Sequence, residues 1–336
     1  MNRVAPAYVQ QMHFDRHSCH VCHGTMRVAL ISIALLCLFE TPVSAWNALG
    51  HKVVAEIAWE QLDDPTRQQI VDALQRHPRF AEDFVRKMPE DVATAEKTVQ
   101  DHWIFQQAAA WPDIARKTQF DLPSWHYINI PLFLDGERRV TFNLSTEYPT
   151  TTMQDEGNVA QATKHCLALI ANPGASADAR ALAYSWLIHL VGDMHQPLHT
   201  TQLVSNYFPE GDEGGNKIPV VQGHNLHSLW DDLLGTRSQM QDVDREVVKL
   251  RAQPEYWNVD TRLDINGWIA ESNDAARSVV YDPAILQEVR SARPGEKLEP
   301  ISLSTEYLQA AGQLARRRIV AAGLRLGSLL KMPAAE

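Results

Sequence analysis

Apolar residues recur at helical spacing along most of the chain. Asp64 followed by Pro65 is typical of a helix start, because the carboxylate caps the first turn and proline tolerates its first position. The pattern predicts helices at 51–62, 64–77, 90–110, 156–171, 176–192, 224–234, 265–280 and 304–329. Alternating residues predict short strands at 124–131 and 217–221. No repeated strand–helix unit is visible, so the sequence predicts an all-α protein with a single, mostly helical domain.

The first part of the chain departs from this pattern. From Met26 it reads MRVALISIALLCLFETPVSA, with one arginine, an apolar run and small residues at 43–45. These features are typical of a secretory signal peptide. The apolar run, 28–39, is shorter than the roughly 20 residues that span a bilayer, so we expect no permanent membrane association.

We therefore interpret residues 1–45 as a leader, in which 1–25 are an artefact of an upstream start codon and 26–45 are the signal peptide. Cleavage would leave Trp46 as the first residue of a mature domain, 46–333, that is secreted or periplasmic. The haem-attachment pattern C-x-x-C-H at 19–23 lies in this leader, which argues against a cytochrome. The mature chain would keep only Cys166, which reads as a small core residue.

The charge balance limits the choice of partners. The chain has 31 Lys and Arg against 41 Asp and Glu, a net charge of −10 at pH 7. An acidic protein lacks the broad basic surface that duplex nucleic acid normally requires. Bound divalent cations would make the local potential positive. The acidic composition therefore argues against a broad basic surface, but it is compatible with a metal-dependent phosphate site.

Two short segments carry metal-ligand spacing. The first, HLVGDMHQPLH, contains His189, Asp193 and His199, and the second, HSLWD, contains His227 and Asp231. Residues four apart share one helix face, so each His/Asp pair can close on one ion. A single pair would more often be a surface ion pair. Two pairs together with His199, which lies beyond a helix-ending proline, favour a zinc hydrolase with more than one metal.

Three further motifs follow the same chemistry. They are WNALGH at 46–51, WPDIAR at 111–116 and WHYIN at 125–129. Together with the two later segments, they resemble the S1/P1 nuclease family over essentially the whole mature chain. The resemblance implies a secreted enzyme with a fold of the phospholipase C/P1 nuclease type, a small β-hairpin and a trinuclear zinc site.

The resemblance also implies a set of ligands for each of three zinc ions per chain. One ion would be held by Asp113, His126, His189 and Asp193, and a second by His199, His227 and Asp231. The third would bind the free amino group and carbonyl oxygen of Trp46, together with His51 and the other oxygen of Asp193. We expect His195, which lies between these ligands, to support them through a hydrogen bond and not to bind metal.

Further roles follow from the same resemblance. A zinc-bridging hydroxide would attack the phosphodiester, with the catalytic centre at Asp113 and Asp193, and the products would carry 5′-phosphates. Arg116 would bind the phosphate through its planar fork, although alone it would read as a surface arginine. Tyr127 would stack on a nucleobase, or else be a core tyrosine. Asn129 stands where relatives can have an acidic partner for the arginine. An amide there would weaken the charge pairing, so the support of the Arg116 guanidinium stays an open question.

The leading hypothesis is an exported, monomeric endonuclease for single-stranded DNA and RNA that also removes 3′-phosphates from nucleotides. A zinc-dependent phospholipase C is the closest alternative, because bacterial phosphocholine-cleaving enzymes use a similar trinuclear zinc site on a related helical fold. An apolar rim around the 200–222 loop, to which Leu203, Val204, Tyr207 and Phe208 could contribute, would favour a lipid. A non-catalytic zinc-binding exported protein is the alternative of another class. Its sites would be closed and often rich in thiolates, whereas these ligands are nitrogen and oxygen only.

Overall fold

The computed structural model describes residues 46–136, 143–147 and 157–331. The predicted leader, residues 1–45, lies outside the described residues, as do the predicted helix start at residue 156 and the last two residues of the predicted mature domain. No helix of the described part is long and apolar enough to cross a bilayer.

Helices dominate the described residues. Helix makes up 61% and strand 4%, which confirms the mostly helical fold class. The α-helices are α1 (Ala48–Gln61), α2 (Asp64–Leu74), α3 (Glu90–Ala93), α4 (Lys97–Ile114), α5 (Val159–Ala171), α6 (Ala177–Asp193), α7 (Leu226–Asp231), α8 (Met240–Arg251), α9 (Ile265–Ala275), α10 (Pro283–Ser291) and α11 (Thr305–Leu330).

The helix prediction is wrong in three places. The predicted helix at 90–110 is two helices, α3 and α4, separated by a turn. Neither α8 nor α10 was predicted. In α8 most side chains are polar, and only a few apolar ones, Val243, Val247 and Leu250, are buried. These three stand at helical spacing, so the signal is present in the sequence but weak.

The core is built around α6. Nearly all its residues from Ala181 to Asp193 are buried, because it packs against α4 on one side and α5 on another. A helix that is buried on most faces has no polar stripe, which explains its continuous apolar sequence. The first helix, α1, packs on α11, α4 and α8, and Cys166 of α5 is a buried free thiol, as expected.

A two-stranded sheet connects distant parts of the chain. Strand β1 (Ile130–Phe133) pairs in parallel with β2 (Thr201–Val204), with Ile130 opposite Thr201. Among the described residues these two strands do not form the predicted β-hairpin, because they pair in parallel and parallel strands need a crossover, which here includes α5 and α6. Most of the predicted strand at 124–131 is a 3₁₀ turn followed by coil, and that at 217–221 forms one bridge to Ile301. The parallel pairing places the segments that carry His126 and His199 side by side.

Candidate metal centre

The last turn of α6 forms the middle of the site. His189 and Asp193 are both fully buried, and the His189 Nε2 lies 3.3 Å from the Asp193 Oδ2. The helical spacing therefore places both side chains on one face, as predicted. Asp113 comes from the end of α4, and its Oδ1 lies 4.0 Å from the same His189 nitrogen.

His126 approaches this pair from the 3₁₀ turn Pro123–His126. Its Nδ1 lies 2.9 Å from the Asp193 Oδ2 and 3.0 Å from the His189 Nε2. The donor atoms of Asp113, His126 and His189 lie within 4.8 Å of one another. These side chains form one candidate metal group.

His51 of α1 completes a second group with His189 and Asp193. The His51 Nε2 lies 3.3 Å from the Asp193 Oδ1, and its ring stacks on that of His189 with 3.8 Å between centroids. Asp193 thus offers one carboxylate oxygen to His51 and the other to His126 and His189. A carboxylate in this orientation can bridge two cations.

The third group joins His199, His227 and Asp231. The Nε2 atoms of the two histidines are 3.0 Å apart, and the His227 Nε2 lies 3.6 Å from the Asp231 Oδ2. His227 and Asp231 belong to α7, in which they are one turn apart. Each of the two ligand pairs predicted from helical spacing therefore converges in the structure.

Backbone carbonyls orient three of these imidazoles. The Nδ1 of His189 donates to the Ala109 carbonyl at 2.7 Å, that of His199 to the His126 carbonyl at 2.6 Å, and that of His227 to the Gly214 carbonyl at 2.7 Å. A carbonyl only accepts, so each proton is held on Nδ1 and the Nε2 lone pair is directed into the site.

Unpartnered atoms show that this cluster fits cations. Both ring nitrogens of His51, both carboxylate oxygens of Asp113 and the Asp193 Oδ1 are buried without a hydrogen bond. The two facing Nε2 atoms of His199 and His227 would repel each other unless a cation lies between their lone pairs. Two nitrogens bound to one tetrahedral zinc are about 3.3 Å apart, close to the separation observed here.

At His189 burial lowers the pKa, but the carboxylates of Asp193 and Asp113 outweigh it and raise the pKa; the other protonation states agree with this fit. Burial lowers the pKa of His51 and His126, and it lowers the pKa of His199 to about 3, so these rings are neutral ligands at neutral pH. Burial also raises the pKa of Asp231 well above its ordinary value, and Asp113 and Asp193 add to this by repulsion. A cation would remove that penalty, and a donor set of imidazoles and carboxylates suits zinc.

Trp46 lies fully buried next to the start of α1. A Cβ on Gly50 would stand 2.5 Å from the Trp46 Cβ, so only glycine permits the indole to fold back over the first turn of α1. The next residue, Asn47, donates its backbone N–H to the Asp231 carbonyl at 3.4 Å. The start of the predicted mature chain therefore lies beside the group of His199, His227 and Asp231.

Arg116 and Tyr127 flank the metal groups. The guanidinium of Arg116 lies 3.6 Å from the Asp113 Oδ1. Tyr127 is only partly buried and is one wall of a cavity of about 160 Å³. The other walls are Asn129, Leu198, His199, Glu213, Gly214, Asn216 and His227. Tyr127 is thus a wall of an open cavity and not a core residue, and the glycine-rich loop 210–216 contributes Glu213, Gly214 and Asn216 to the same cavity.

The apolar rim that would suit a lipid is absent from the described residues around this cavity. Leu203, Val204 and Phe208 are buried in the core, and the Tyr207 hydroxyl donates to the Glu296 carbonyl. These four side chains therefore do not form the apolar rim that would favour a lipid.

Sequence reasoning missed two residues that shape the site. The Gln196 side-chain amide donates to the Asp231 Oδ1 at 2.8 Å, which fixes the orientation of that carboxylate. A Cβ on Gly192 would lie 2.8 Å from the His51 Nδ1, so glycine is needed for α1 and α6 to meet at the metal groups. A glycine inside a buried helix is costly, and that was the available signal.

His195 has the supporting position that we expected. Its Nδ1 donates to the Val191 carbonyl at 2.7 Å, and its Nε2 accepts from Arg325 at 2.9 Å. It belongs to none of the metal groups among the described residues. Both of its ring nitrogens are engaged in hydrogen bonds that hold the segment between Asp193 and His199.

Comparison with known proteins agrees with this geometry. The model of the S1/P1 Nuclease family matches residues 46–334. Nuclease S1 of Aspergillus oryzae is 23% identical over 334 residues, which covers 92% of this chain and 99% of that protein. Endonuclease 5 of Arabidopsis thaliana is 24% identical, with coverage of 91% and 96%.

A further relative is Endonuclease 3 of Arabidopsis thaliana, which is 26% identical over 217 residues, covering 62% of this chain and 61% of that protein. The family match extends over all described residues, and it includes every residue of the three candidate metal groups. The chain therefore belongs to the S1/P1 nuclease family and is a nuclease.

Proposed function

We propose that this chain is an exported, zinc-dependent endonuclease that cleaves single-stranded DNA and RNA to 5′-phosphorylated products and removes 3′-phosphates from nucleotides. The observation that carries the proposal is the convergence of three His/Asp groups, two of which share His189. The phospholipase alternative has less support, because Leu203, Val204 and Phe208 of the nearby loop are buried.

Three zinc ions would be distributed over the cluster. Asp113, His126, His189 and Asp193 would hold one ion, and His199, His227 and Asp231 would hold another. His51, the second oxygen of Asp193 and the amino terminus of Trp46 would hold the third. Bound zinc would supply an acidified water and would neutralise charge on the phosphate.

Export would create the last ligand. An amide nitrogen inside the chain is a poor ligand, whereas cleavage after residue 45 frees an amine with a pKa of about 7.7 to 8.0. The proposal is supported by the burial of Trp46 beside the Asp231 segment. The unprocessed chain would then lack one ligand, and the secreted or periplasmic chain would have the complete set.

The other residues would position the substrate. Arg116 would hold a nonbridging phosphate oxygen, and its short distance to Asp113 would keep the guanidinium beside the metal groups. Tyr127 would stack on a base in the cavity of about 160 Å³. A base face is free only in an unpaired strand, which is the reason for the preference for single strands.

The test uses the full chain, exported by its own leader and purified as a processed protein. We expect Trp46 at the amino terminus, three zinc ions per chain, faster release of acid-soluble nucleotides from denatured than from duplex DNA, and phosphate release from 3′-AMP. His227→Ala should lose zinc and activity. His224→Ala, an exposed histidine outside the metal groups, should retain both.

Two results would overturn the proposal. Zinc-loaded, processed protein that cleaves neither denatured DNA nor RNA would support the non-catalytic zinc-binding protein. Release of phosphocholine from lecithin in the absence of nucleotide release would support the phospholipase. Gel filtration of the same sample tests the expected monomer.

A further inference from the structure

Asn47 is the residue that follows the proposed amino-terminal ligand, and its side chain is fully engaged. Its Oδ1 accepts from the backbone N–H groups of Leu49 and Gly50 at 3.0 and 3.2 Å, which caps α1. Its Nδ2 donates to the Asp232 Oδ1 at 2.7 Å and to the Gly235 carbonyl at 2.6 Å. One amide therefore joins the start of α1 to the end of α7.

This connection matters because a free chain end is normally mobile. The first residues of a chain stay poorly ordered unless something ties them down, and an amine that moves is a weak ligand. Asn47 provides three bonds to the Asp231–Gly235 segment: the two side-chain bonds and its backbone N–H to the Asp231 carbonyl. The same segment contains the metal-group residue Asp231.

The direction of α1 completes the argument. The His51 backbone N–H donates to the Asn47 carbonyl at 3.2 Å, so His51 lies one helical turn beyond Asn47 on a rigid element. Fixing Asn47 therefore fixes the residues on both sides of it, Trp46 and His51. These are the two proposed ligands of the third zinc that come from the amino-terminal segment.

We propose that Asn47 is a positioning residue that docks the processed amino terminus onto the end of α7, so that the Trp46 amine and His51 reach one cation together. The proposal rests on the proposed function, because it requires an amine created by cleavage. It assigns to Asn47 a role in metal binding in addition to capping of α1. The third zinc should thus depend on an amide that binds no metal itself.

Asn47→Asp separates the two roles. The new carboxylate can still accept from the Leu49 and Gly50 N–H groups, so the cap is kept. It cannot donate to the Asp232 carboxylate or to the Gly235 carbonyl, and the two neighbouring carboxylates repel each other. Capping alone predicts little change, whereas positioning predicts a defect at the third zinc.

We expect N47D to retain two zinc ions per chain after dialysis against a weak chelator, whereas the unsubstituted protein retains three. Loss of a supporting hydrogen bond typically weakens metal binding by about 10- to 100-fold. A second measurement follows the amine itself. In the metal-loaded parent protein an amine-specific acylating reagent at pH 7 should leave the Trp46 amine unmodified, and in N47D it should label that amine.

Two controls distinguish positioning from a loss of stability. D232N combined with N47D places an amide donor opposite the new carboxylate, and it should restore a large part of the third zinc and of the protection from labelling. Asn158→Asp alters another capping asparagine, whose Nδ2 donates to the carbonyls of Asn143 and Ser145. It should lower the melting temperature with all three zinc ions retained.

The outcomes separate this inference from the proposed function. If the parent protein binds three zinc ions and protects its amine, and N47D does the same, Asn47 only caps α1 and the inference is wrong. A parent protein that binds fewer ions or exposes its amine contradicts the proposed three-zinc site itself. If N47D loses zinc but the D232N combination restores none, the effect is a general destabilisation, which also contradicts the inference.

Discussion

Asp212 lies in the glycine-rich loop 210–216, and we predict that its titration makes the free energy of unfolding depend on pH. Its side chain is fully buried, and it accepts hydrogen bonds from the Leu203 N–H at 2.8 Å, the Gly215 N–H at 2.9 Å and the Tyr281 hydroxyl at 2.9 Å. Burial raises the pKa of Asp212 to about 7, and the three hydrogen bonds only partly oppose this. Asp212 should therefore titrate near neutrality.

The sign and the size follow from linkage. The folded-state pKa lies above the ordinary value of 3.8, so the contribution to stability is fully present below pH 3.8 and is lost as the pH rises through about 7. The shift is about three pH units, and each unit corresponds to about 1.4 kcal/mol. The total effect is about 4 kcal/mol, of which roughly 3 kcal/mol falls between pH 5 and 8.5.

Asp212→Asn removes this titration while it keeps a side chain of similar size. We would measure the free energy of unfolding by urea for both proteins in excess EDTA, at several values between pH 5 and 8.5. Other titrating groups contribute equally to both proteins, so the difference isolates Asp212. Relative to the parent protein, D212N should gain about 3 kcal/mol between the two ends of this range.

A difference that stays constant with pH would refute the reasoning, because it would mean that burial does not raise the pKa. Tyr281→Phe is the matched control. It removes one hydrogen bond that stabilises the ionised form, and it should steepen the loss of stability at high pH. A Y281F profile parallel to that of the parent protein would show that the hydroxyl contributes nothing to the titration.

Three further predictions concern the metal groups and their support. Gly192→Ala should weaken zinc binding by about 10- to 100-fold, since its Cβ would lie 2.8 Å from the His51 Nδ1; unchanged affinity in a zinc titration would contradict this contact. Glu271→Gln should lower the free energy of unfolding by about 2 kcal/mol, because Glu271 bridges the buried Arg318 and Arg325. The carboxylate is half-exposed, so solvent screening keeps this loss below that of a fully buried ion pair. Zinc removal by EDTA should lower the melting temperature measured by calorimetry. Each occupied site adds about 2.7 kcal/mol to the free energy of unfolding when the free zinc concentration is about 100 times the Kd.

The sequence predicts ligand pairs well when one helix carries both residues. His189 and Asp193, and likewise His227 and Asp231, are four residues apart, and helical geometry alone places each pair on one face. The groups that orient the imidazoles follow a different rule. The Ala109 and Gly214 carbonyls that receive the Nδ1 protons come from distant segments, and any residue type supplies a carbonyl. No pattern of side chains can indicate them.

Pairing between distant segments explains the error in the sheet. The turn chemistry of a hairpin is local and is written in the sequence, whereas β1 and β2 pair across a crossover with no turn between them. That pairing brings the Ile128 N–H to the His199 carbonyl at 2.8 Å, and the His199 Nδ1 to the His126 carbonyl. The element that was predicted wrongly is thus the one that aligns two ligand segments.

The motif at 46–51 combines both situations. Its histidine could be identified as a candidate ligand from the resemblance, but the reason for its other residues is visible only in the structure. Asn47 is bonded to the end of α7, and Gly50 leaves space for the Trp46 side chain. Neither residue offers a metal ligand, yet each fixes where a proposed ligand stands. The sequence therefore indicates which residues can bind a metal, whereas the contacts that place one segment against another are visible only in the folded structure.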